Sequence, residues 1–158
     1  MNENLIDVLI YIYENYMDSE NQPRDQVLLE EELASAGFGN DEIRKAFDWL
    51  DELAWRQGTL TEAVDHSHHS TRIYTREEQQ RIDLDTRGLL LYLEQMGILD
   101  PASRELVIER AMALESPELD ADDIKWIVLL VLLNRPGRES AFALMEEMIY
   151  NGEQTLLH

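Results

Sequence analysis

The stretch Asp120–Gly137, which reads DADDIKWIVLLVLLNRPG, decides the fold of this chain. Every residue from Trp126 to Leu133 is apolar, so a helix formed here has no polar side to turn towards water. A membrane span needs about 20 apolar residues, and this run is far shorter and directly follows carboxylates. The stretch therefore predicts the buried central helix of a soluble protein. Asp120 is the expected N-cap, Asp122 and Asp123 place favourable charge in the first turn, and the residues after Leu133 end the helix.

The composition predicts a folded and strongly acidic protein. The chain has 158 residues, of which 44% are hydrophobic, and its 33 acidic side chains outnumber 13 basic ones for a net charge of -20. Acidic residues occur along the whole chain, so the charge belongs to the folded surface and not to a tail. Such a surface repels nucleic-acid phosphates and anionic lipid and attracts a basic partner; it also simply favours solubility.

Several kinds of chemistry have no support in the sequence. The absence of cysteine excludes disulfides, thiolate metal sites and a cysteine nucleophile. There is no glycine-rich phosphate loop, nucleophile elbow or metal-binding helix motif, so we expect neither an enzyme nor a cofactor. The N-terminus carries no signal-peptide pattern, which makes the cytoplasm the expected location.

Residues 1–56 predict a three-helix unit that resembles a helix-turn-helix. The first helix is expected from about Glu3 to Met17, the second ends at Gly37, and Asn40 is expected to cap a third that runs from Asp41 to about Arg56. A DNA-reading helix at Asp41–Arg56 would present mostly carboxylates to the phosphates, which argues for an ordinary helical unit instead. Trp49 is expected at the edge of the buried stripe, while Tyr11 and Trp55 lie off their helices' apolar stripes.

Residues 57–75 predict a loop with a short strand or hairpin at Thr71–Thr75, where a winged helix would have its wing. His66, His68 and His69 lie inside this loop. Imidazoles are suitable zinc ligands, but nothing in the pattern supplies a rigid frame or a fourth ligand. We therefore expect no native metal site, although the cluster could bind nickel or zinc adventitiously.

Residues 76–158 predict a helical bundle around the central helix. Thr75 and Glu78 fit a capping box, Gly97 ends an apolar helix, and Asp100-Pro101 is a strong helix start. The helix after Thr75 is expected either to kink or to restart near Asp85, and the last helix to run from about Glu139 to Tyr150. The fold class is thus all-α, with about seven helices.

Positive charge is concentrated locally in one set of arginines, Arg72, Arg76, Arg81 and Arg87. One interpretation is an anion or partner site. The other is that these guanidiniums join the acidic first helices to the second half of the chain through paired carboxylates, which suit the planar fork of arginine.

Short segments along nearly the whole chain resemble the bacterial Smg family. They are Asp7-Val8-Leu9, Tyr13-Glu14, Ala36-Gly37-Phe38, Trp49-Leu50, Arg72-Ile73-Tyr74-Thr75, Glu77-Glu78, Arg87-Gly88, Leu93-Glu94-Gln95, Val107–Arg110, Asp122–Trp126, Pro136-Gly137 and Leu157-His158. The family is uncharacterised, so the resemblance implies no catalytic motif or cofactor. The histidine cluster is not part of the family's pattern.

Two functions from different classes follow from these observations. The first is a non-enzymatic cytosolic adaptor or regulator whose acidic surface binds a basic protein, with Tyr11 and Trp55 as candidate contacts because aromatic residues favour interface hot spots. A nucleic-acid mimic would be a special case of it. The alternative is a winged-helix DNA-binding regulator built from residues 1–75, with the arginine set at its wing. The partner's identity and the oligomeric state stay open.

Overall fold

In the computed structural model the described residues are 5–17, 26–60, 73–133, 135 and 137–156. Within these ranges eight α-helices follow one another, which confirms the all-α class. They are α1 (Leu5–Ile12), α2 (Gln26–Ser35), α3 (Asn40–Leu60), α4 (Arg76–Arg81), α5 (Leu84–Gln95), α6 (Pro101–Met112), α7 (Ala121–Leu133) and α8 (Glu139–Leu156). The described part of the chain contains no strand; one isolated parallel bridge joins Ile82 to Leu119.

The chain divides into two compact units, Met1–Glu52 and Leu53–His158. The division predicted from the sequence, with the first boundary after residue 56, stays a prediction. In the first unit the buried side chains come from α1, α2 and the first part of α3. They are Ile6, Val8, Leu9, Ile12, Tyr13, Leu29, Leu33, Ile43, Ala46 and Trp49.

The first helix changes its winding where one regular helix was expected. α1 ends at Ile12, and Tyr13–Met17 form a π-helical turn. The wider turn shifts the following side chains relative to a regular helix, and Tyr13 at its start is fully buried. Among the described residues, the single regular helix expected from about Glu3 to Met17 is therefore regular only from Leu5 to Ile12.

The third helix is longer than expected and begins differently. The Ile43 N–H donates to the Gly39 carbonyl, so Gly39 takes the capping position predicted for Asn40. The helix then continues past Arg56 to Leu60, where the sequence predicted a loop from Gln57. The Gln57 side chain, in the second unit, donates to the Val131 carbonyl of α7, a tertiary contact that favours the helical extension. Trp49, expected at the stripe's edge, is buried.

The described residues of the predicted wing do not form a strand. Residues 57–60 are helical, and Ile73, Tyr74 and Thr75 have no regular secondary structure. Residues 61–72, including the histidine cluster, lie outside the described residues, so a wing there stays a prediction.

The central helix is buried, as predicted. α7 packs against α5, α6 and α8, and Ile124 and all six side chains from Ile127 to Leu132 are buried. Burial of one such side chain contributes about 1.5–3 kcal/mol relative to exposure, so α7 supplies much of the second unit's core stability. Of the described helices, none combines the length and apolarity that crossing a membrane requires.

Local capping signals set the starts of the helices in the second unit. Thr75 and Glu78 form the predicted capping box, and the Asp100 side chain accepts the Ser103 N–H ahead of Pro101. The predicted restart after α4 also occurs, with Asp83 as the cap of α5. Gly97 adopts φ +80°, and the Ile98 N–H donates to the Leu93 carbonyl, which ends α5 as predicted.

Asp100 also ties the start of α6 to the turn between α7 and α8. One of its carboxylate oxygens lies 3.2 Å from Arg135 and 3.2 Å from Arg138. Burial opposes ionisation, but the Ser103 hydrogen bonds and both guanidiniums together hold the pKa of Asp100 below its ordinary value. Arg135 and Arg138, which follow the central helix, therefore also hold the cap at the start of the preceding helix, α6.

Arg81 connects α4 to the end of α6. Its guanidinium donates to the carbonyls of Met112 (2.9 Å), Leu114 and Ser116 (2.8 Å), and its own carbonyl accepts the Leu119 N–H at 2.8 Å. The Met112 carbonyl is in the last turn of α6 and the other two follow it; backbone acceptors at such a helix end have no partner within the helix, and the helix dipole favours a cation there.

We expect Arg81→Met to lower the free energy of unfolding by about 2 kcal/mol, because it leaves these carbonyls without their charged donor. Arg81→Lys should fall between Met and the wild type, since an ammonium cannot reach all three acceptors as a planar fork does. Urea unfolding followed by circular dichroism measures both. The matched control is Arg76→Met on the exposed start of α4, which should change stability by less than about 0.5 kcal/mol. Equal midpoints for Arg81→Met and Arg76→Met would contradict the assignment.

The sequence predicted that the Asp123 carboxylate stabilises the start of α7, but its charged form is unfavourable in the folded protein. The Asp123 N–H donates to the Asp120 carboxylate at 2.8 Å, which confirms the predicted cap. Burial, and then the charges of Asp120 and Asp122, raise the pKa of Asp123 to about 6. The folded protein therefore binds a proton at Asp123 between about pH 4 and 6 that the unfolded chain releases, so this contribution to stability is lost as the pH rises through 6.

Asp123→Asn should therefore stabilise the protein at pH 7 by about 1 kcal/mol, a value reduced for solvent screening of this half-exposed group. The gain should shrink as the pH falls towards 4, because the wild-type carboxyl is then protonated as well. Thermal unfolding at pH 4, 5, 6 and 7 tests this. Asp85→Asn, an exposed first-turn carboxylate on α5, is the control and should lower stability slightly at pH 7. A loss of stability at pH 7 in Asp123→Asn would show that its charge is favourable after all.

Candidate functional site

A groove in the second unit lies between the start of α4 and the outer side of α6, and encloses about 480 Å³. Its lining residues are Thr75, Glu77, Glu78, Glu105, Ile108, Glu109, Met112 and Ala113. The polar part is made almost entirely of carboxylates, and the apolar part is made of Ile108, Met112 and Ala113. We call this feature the acidic groove.

The helix ends explain why these carboxylates converge. The capping box holds Glu78 at the start of α4, with its Oε1 accepting the Thr75 N–H at 2.9 Å. Glu105 and Glu109 are one turn apart on α6 and so lie on the same side of that helix. The Arg81 contacts to the end of α6 bring the two helices together.

Arginines behind the groove hold two of its carboxylates. Glu109 accepts from Arg110 at 2.6 Å and lies 3.3 Å from Arg56, and Glu105 accepts from Arg104 at 3.0 Å. Arg104 and Arg110 are themselves buried, at 8% and 4% exposure. Such charge-assisted pairs orient the carboxylates, while the side chains of Glu105 and Glu109 remain 46% and 33% exposed.

The side chains that line the groove are better suited to binding a cationic side chain than to catalysing a reaction. A lysine or arginine can lay its apolar stem along Met112 and Ala113 while its charged head meets a carboxylate. Among the described residues no group of at least three His, Asp or Glu side chains is arranged to hold a metal ion. His66, His68 and His69 are not among the residues described.

The two aromatic residues singled out from the sequence have different surroundings. Trp55 is 63% exposed, as its position off the apolar stripe predicted. Tyr11 in the first unit is half-buried, and its ring packs edge-on against Phe38 with the ring centroids 5.4 Å apart. Tyr11 thus helps to close the edge of its own unit.

The structure does not show the four predicted arginines as one positive surface. Arg72 lies outside the described residues, and Arg76 is exposed. Arg81 bonds to the carbonyls after α6, whereas the Arg87 Nε donates to the Ile82 carbonyl at 3.1 Å and its guanidinium lies over the Tyr74 ring. These contacts of Arg81 and Arg87 join residues of the second unit, and the proposed bridges to the first helices stay a prediction.

The outward side of α3 in the first unit carries mixed charge. Asp41, Arg44, Lys45, Asp48 and Asp51 are exposed there. The Arg44 guanidinium lies 2.7 Å from the Asp41 carboxylate, which neutralises one of the cations that DNA would need. The surface therefore gives a DNA-reading helix no support.

Sequence reasoning missed Glu105, Glu109 and the two buried arginines of α6. A local signal existed, since Arg104-Glu105 and Glu109-Arg110 put an arginine beside a glutamate twice within one helix. Because charged residues are rarely buried unless paired, an arginine on the inner side of a helix indicates a carboxylate partner nearby. The contribution of Glu77 and Glu78 from α4 had no such signal.

Comparison with known proteins places the whole chain in one family. Residues 5–158 match the family model described as protein of unknown function (DUF494). The Protein Smg homolog of Nitrosococcus oceani is 46% identical over 160 residues, covering 100% of both chains. The homolog from Vibrio parahaemolyticus is 47% identical, covering 98% of this chain and 99% of its own. The homolog from Stenotrophomonas maltophilia is 48% identical, with 100% of both chains covered.

No solved structure matches the chain. The family description indicates no catalytic activity, and the names of these relatives state none. The full-length matches agree with the segments, from Asp7 to His158, in which the sequence resembles the Smg family. The chain belongs to the bacterial Smg family, whose function is uncharacterised.

Proposed function

We propose that this chain is a non-enzymatic, cytosolic protein-interaction module, an adaptor or regulator, that binds a basic protein partner. The acidic groove is the observation that carries the proposal. It presents carboxylates and an apolar lining in one concave surface of the second unit, and it lies on a chain with a net charge of -20.

Charge and shape support this proposal together. A strongly acidic protein increases the local concentration of basic partners and speeds their association. Charge alone gives little specificity, whereas a groove that also offers the apolar side chains of Met112 and Ala113 can distinguish an arginine or lysine on a folded partner from a free cation. The paired arginines offset part of the charge of Glu105 and Glu109, but they also orient these carboxylates, which therefore lose little freedom when they bind.

Several residues outside the groove are proposed as further partner contacts. Trp55 is a proposed contact because it is a large exposed aromatic, and Arg76 is a proposed rim contact because it is exposed beside Glu77. Arg72 is kept as a proposed contact from the sequence alone. Tyr11, Arg81 and Arg87 also stay proposed contacts, although each has contacts within its own unit. The DNA-binding alternative has no observation in its favour.

Removing groove charge should weaken capture of basic proteins. We expect the full-length chain, used as crosslinking bait in a bacterial lysate, to retain proteins of high pI at about 0.05 M salt and to release them at about 0.5 M, where charges are screened over a few Å. The variant Glu77→Lys with Glu105→Gln should retain several-fold less. Gln at position 105 avoids placing a cation against buried Arg104.

The matched control is Glu118→Lys with Glu147→Gln, which changes the net charge equally at exposed positions outside the groove. This control variant should retain nearly as much basic protein as the wild type. An equal loss in the control would show that only overall charge matters. Absence of any salt-sensitive basic protein from the wild-type capture would refute the proposed function.

A further inference from the structure

The outer side of α5 is an apolar stripe that the described chain leaves uncovered. Leu84, Leu91, Tyr92 and Met96 are 73%, 53%, 48% and 57% exposed. Their spacing puts them on one side of the helix, together with exposed Gly88 and Gln95. The opposite side is the core side, with Thr86, Leu90 and Leu93 buried. Singly scattered exposed apolar residues are ordinary, whereas a contiguous row of them marks an interaction surface.

Gly88 has no side chain and so leaves a gap in this stripe, which we call the notch. The described structure does not require a glycine at this position. A glycine inside a helix is destabilising relative to alanine. A Cβ at Gly88 would meet nothing within 4 Å, so no neighbour among the described residues requires a glycine there. Its φ is not in the left-handed region, so no turn requires it either.

The notch interrupts a ridge of side chains of the kind that packs against a crossing helix. Leu84, Gly88, Tyr92 and Met96 are four residues apart in sequence and form one ridge along α5. A gap in such a ridge lets the backbone of a crossing helix approach closely, with Leu84 and Tyr92 on either side of it. A partner helix that crosses α5 at Gly88 would bury the stripe.

Charge at the rim indicates what kind of helix would fit. Asp83 and Asp85 are exposed at the N-terminal end of the stripe. The nearby cation Arg87 is directed at the Ile82 carbonyl and the Tyr74 ring, and Glu94 at the other end is paired with Arg104 at 2.9 Å. The N-terminal end of the rim is therefore acidic, and so is the chain as a whole. A second copy of this chain, also at -20, would be repelled, whereas a basic helix would be attracted.

We propose that the α5 stripe docks an amphipathic, basic α-helix of a partner protein, with its apolar side crossing α5 at Gly88 and a lysine or arginine near Asp83 and Asp85. This inference rests on the proposed function only in taking the partner to be basic, and it uses a surface different from the acidic groove.

The test uses a synthetic leucine-lysine peptide of about 18 residues, roughly five helical turns, with its leucines on one side. A scrambled peptide of the same composition has no apolar side. Fluorescence anisotropy of labelled peptide measures affinity for the full-length chain, and amide chemical shifts show which helix is contacted. We expect the amphipathic peptide to bind more tightly than the scrambled one and to shift resonances of α5.

Two variants separate docking from charge attraction. Leu91→Asp adds a carboxylate, so a purely electrostatic interaction would strengthen, whereas docking on the stripe should weaken about tenfold or more. Gly88→Gln fills the notch without changing the charge, and it replaces glycine by a better helix former. It should therefore weaken binding while the protein unfolds at an equal or higher temperature. The matched control, Leu144→Asp at a half-exposed position on α8, should bind at least as well as the wild type.

The outcomes are distinct from those that test the proposed function. Binding of the amphipathic peptide that neither Leu91→Asp nor Gly88→Gln weakens would overturn the docking surface while leaving a basic partner in place. Equal affinity for the scrambled peptide would overturn it in the same way. Self-association of the wild type that Leu91→Asp abolishes, measured by sedimentation without peptide, would assign the stripe to a second copy and overturn the proposal.

Discussion

Burial of α7 is the constraint on which the rest of the second unit depends. A helix with apolar side chains on every side can be accommodated only if neighbours cover all of it. α5, α6 and α8 pack against α7, and Ile124 and the side chains from Ile127 to Leu132 are buried. That requirement fixes which side chains remain outside. The acidic groove lies on the outer side of α6, and the apolar stripe is the outer side of α5.

The use of arginine makes the surface more acidic than the composition alone suggests. Arg104 and Arg110 are buried, and Arg81 and Arg135 direct their guanidiniums at carbonyl and hydroxyl groups of the chain. Most carboxylates of the helices, such as Asp48, Glu77 and Glu147, stay exposed. Because a buried guanidinium needs several acceptors, arginine suits this role better than lysine, and 11 of the 13 cations are arginine. Several of the described arginines thus stabilise the fold, while most of the described helical carboxylates lie at the surface.

Signals confined to a few residues predicted the structure best. The capping box at Thr75, the start at Asp100-Pro101, the end at Gly97 and the dry central helix each depend on adjacent residues or on one helical period, and each was confirmed. Contacts between distant residues were not predictable. Gln57 is helical where it bonds Val131, Arg81 bonds carbonyls beyond α6, and the groove needs α4 beside α6. Asp123 looked favourable because the sequence does not show its burial.

Native-state hydrogen exchange of the α7 amides tests the central claim most directly. If this helix is the dry centre of the second unit, the amides from Ile127 to Leu132 should exchange only through global unfolding. Their opening free energies should then equal the free energy of unfolding from denaturant titration and fall with denaturant at the same slope. Exchange of these amides through small local openings, at rates like those of the exposed ends of α8, would contradict the account.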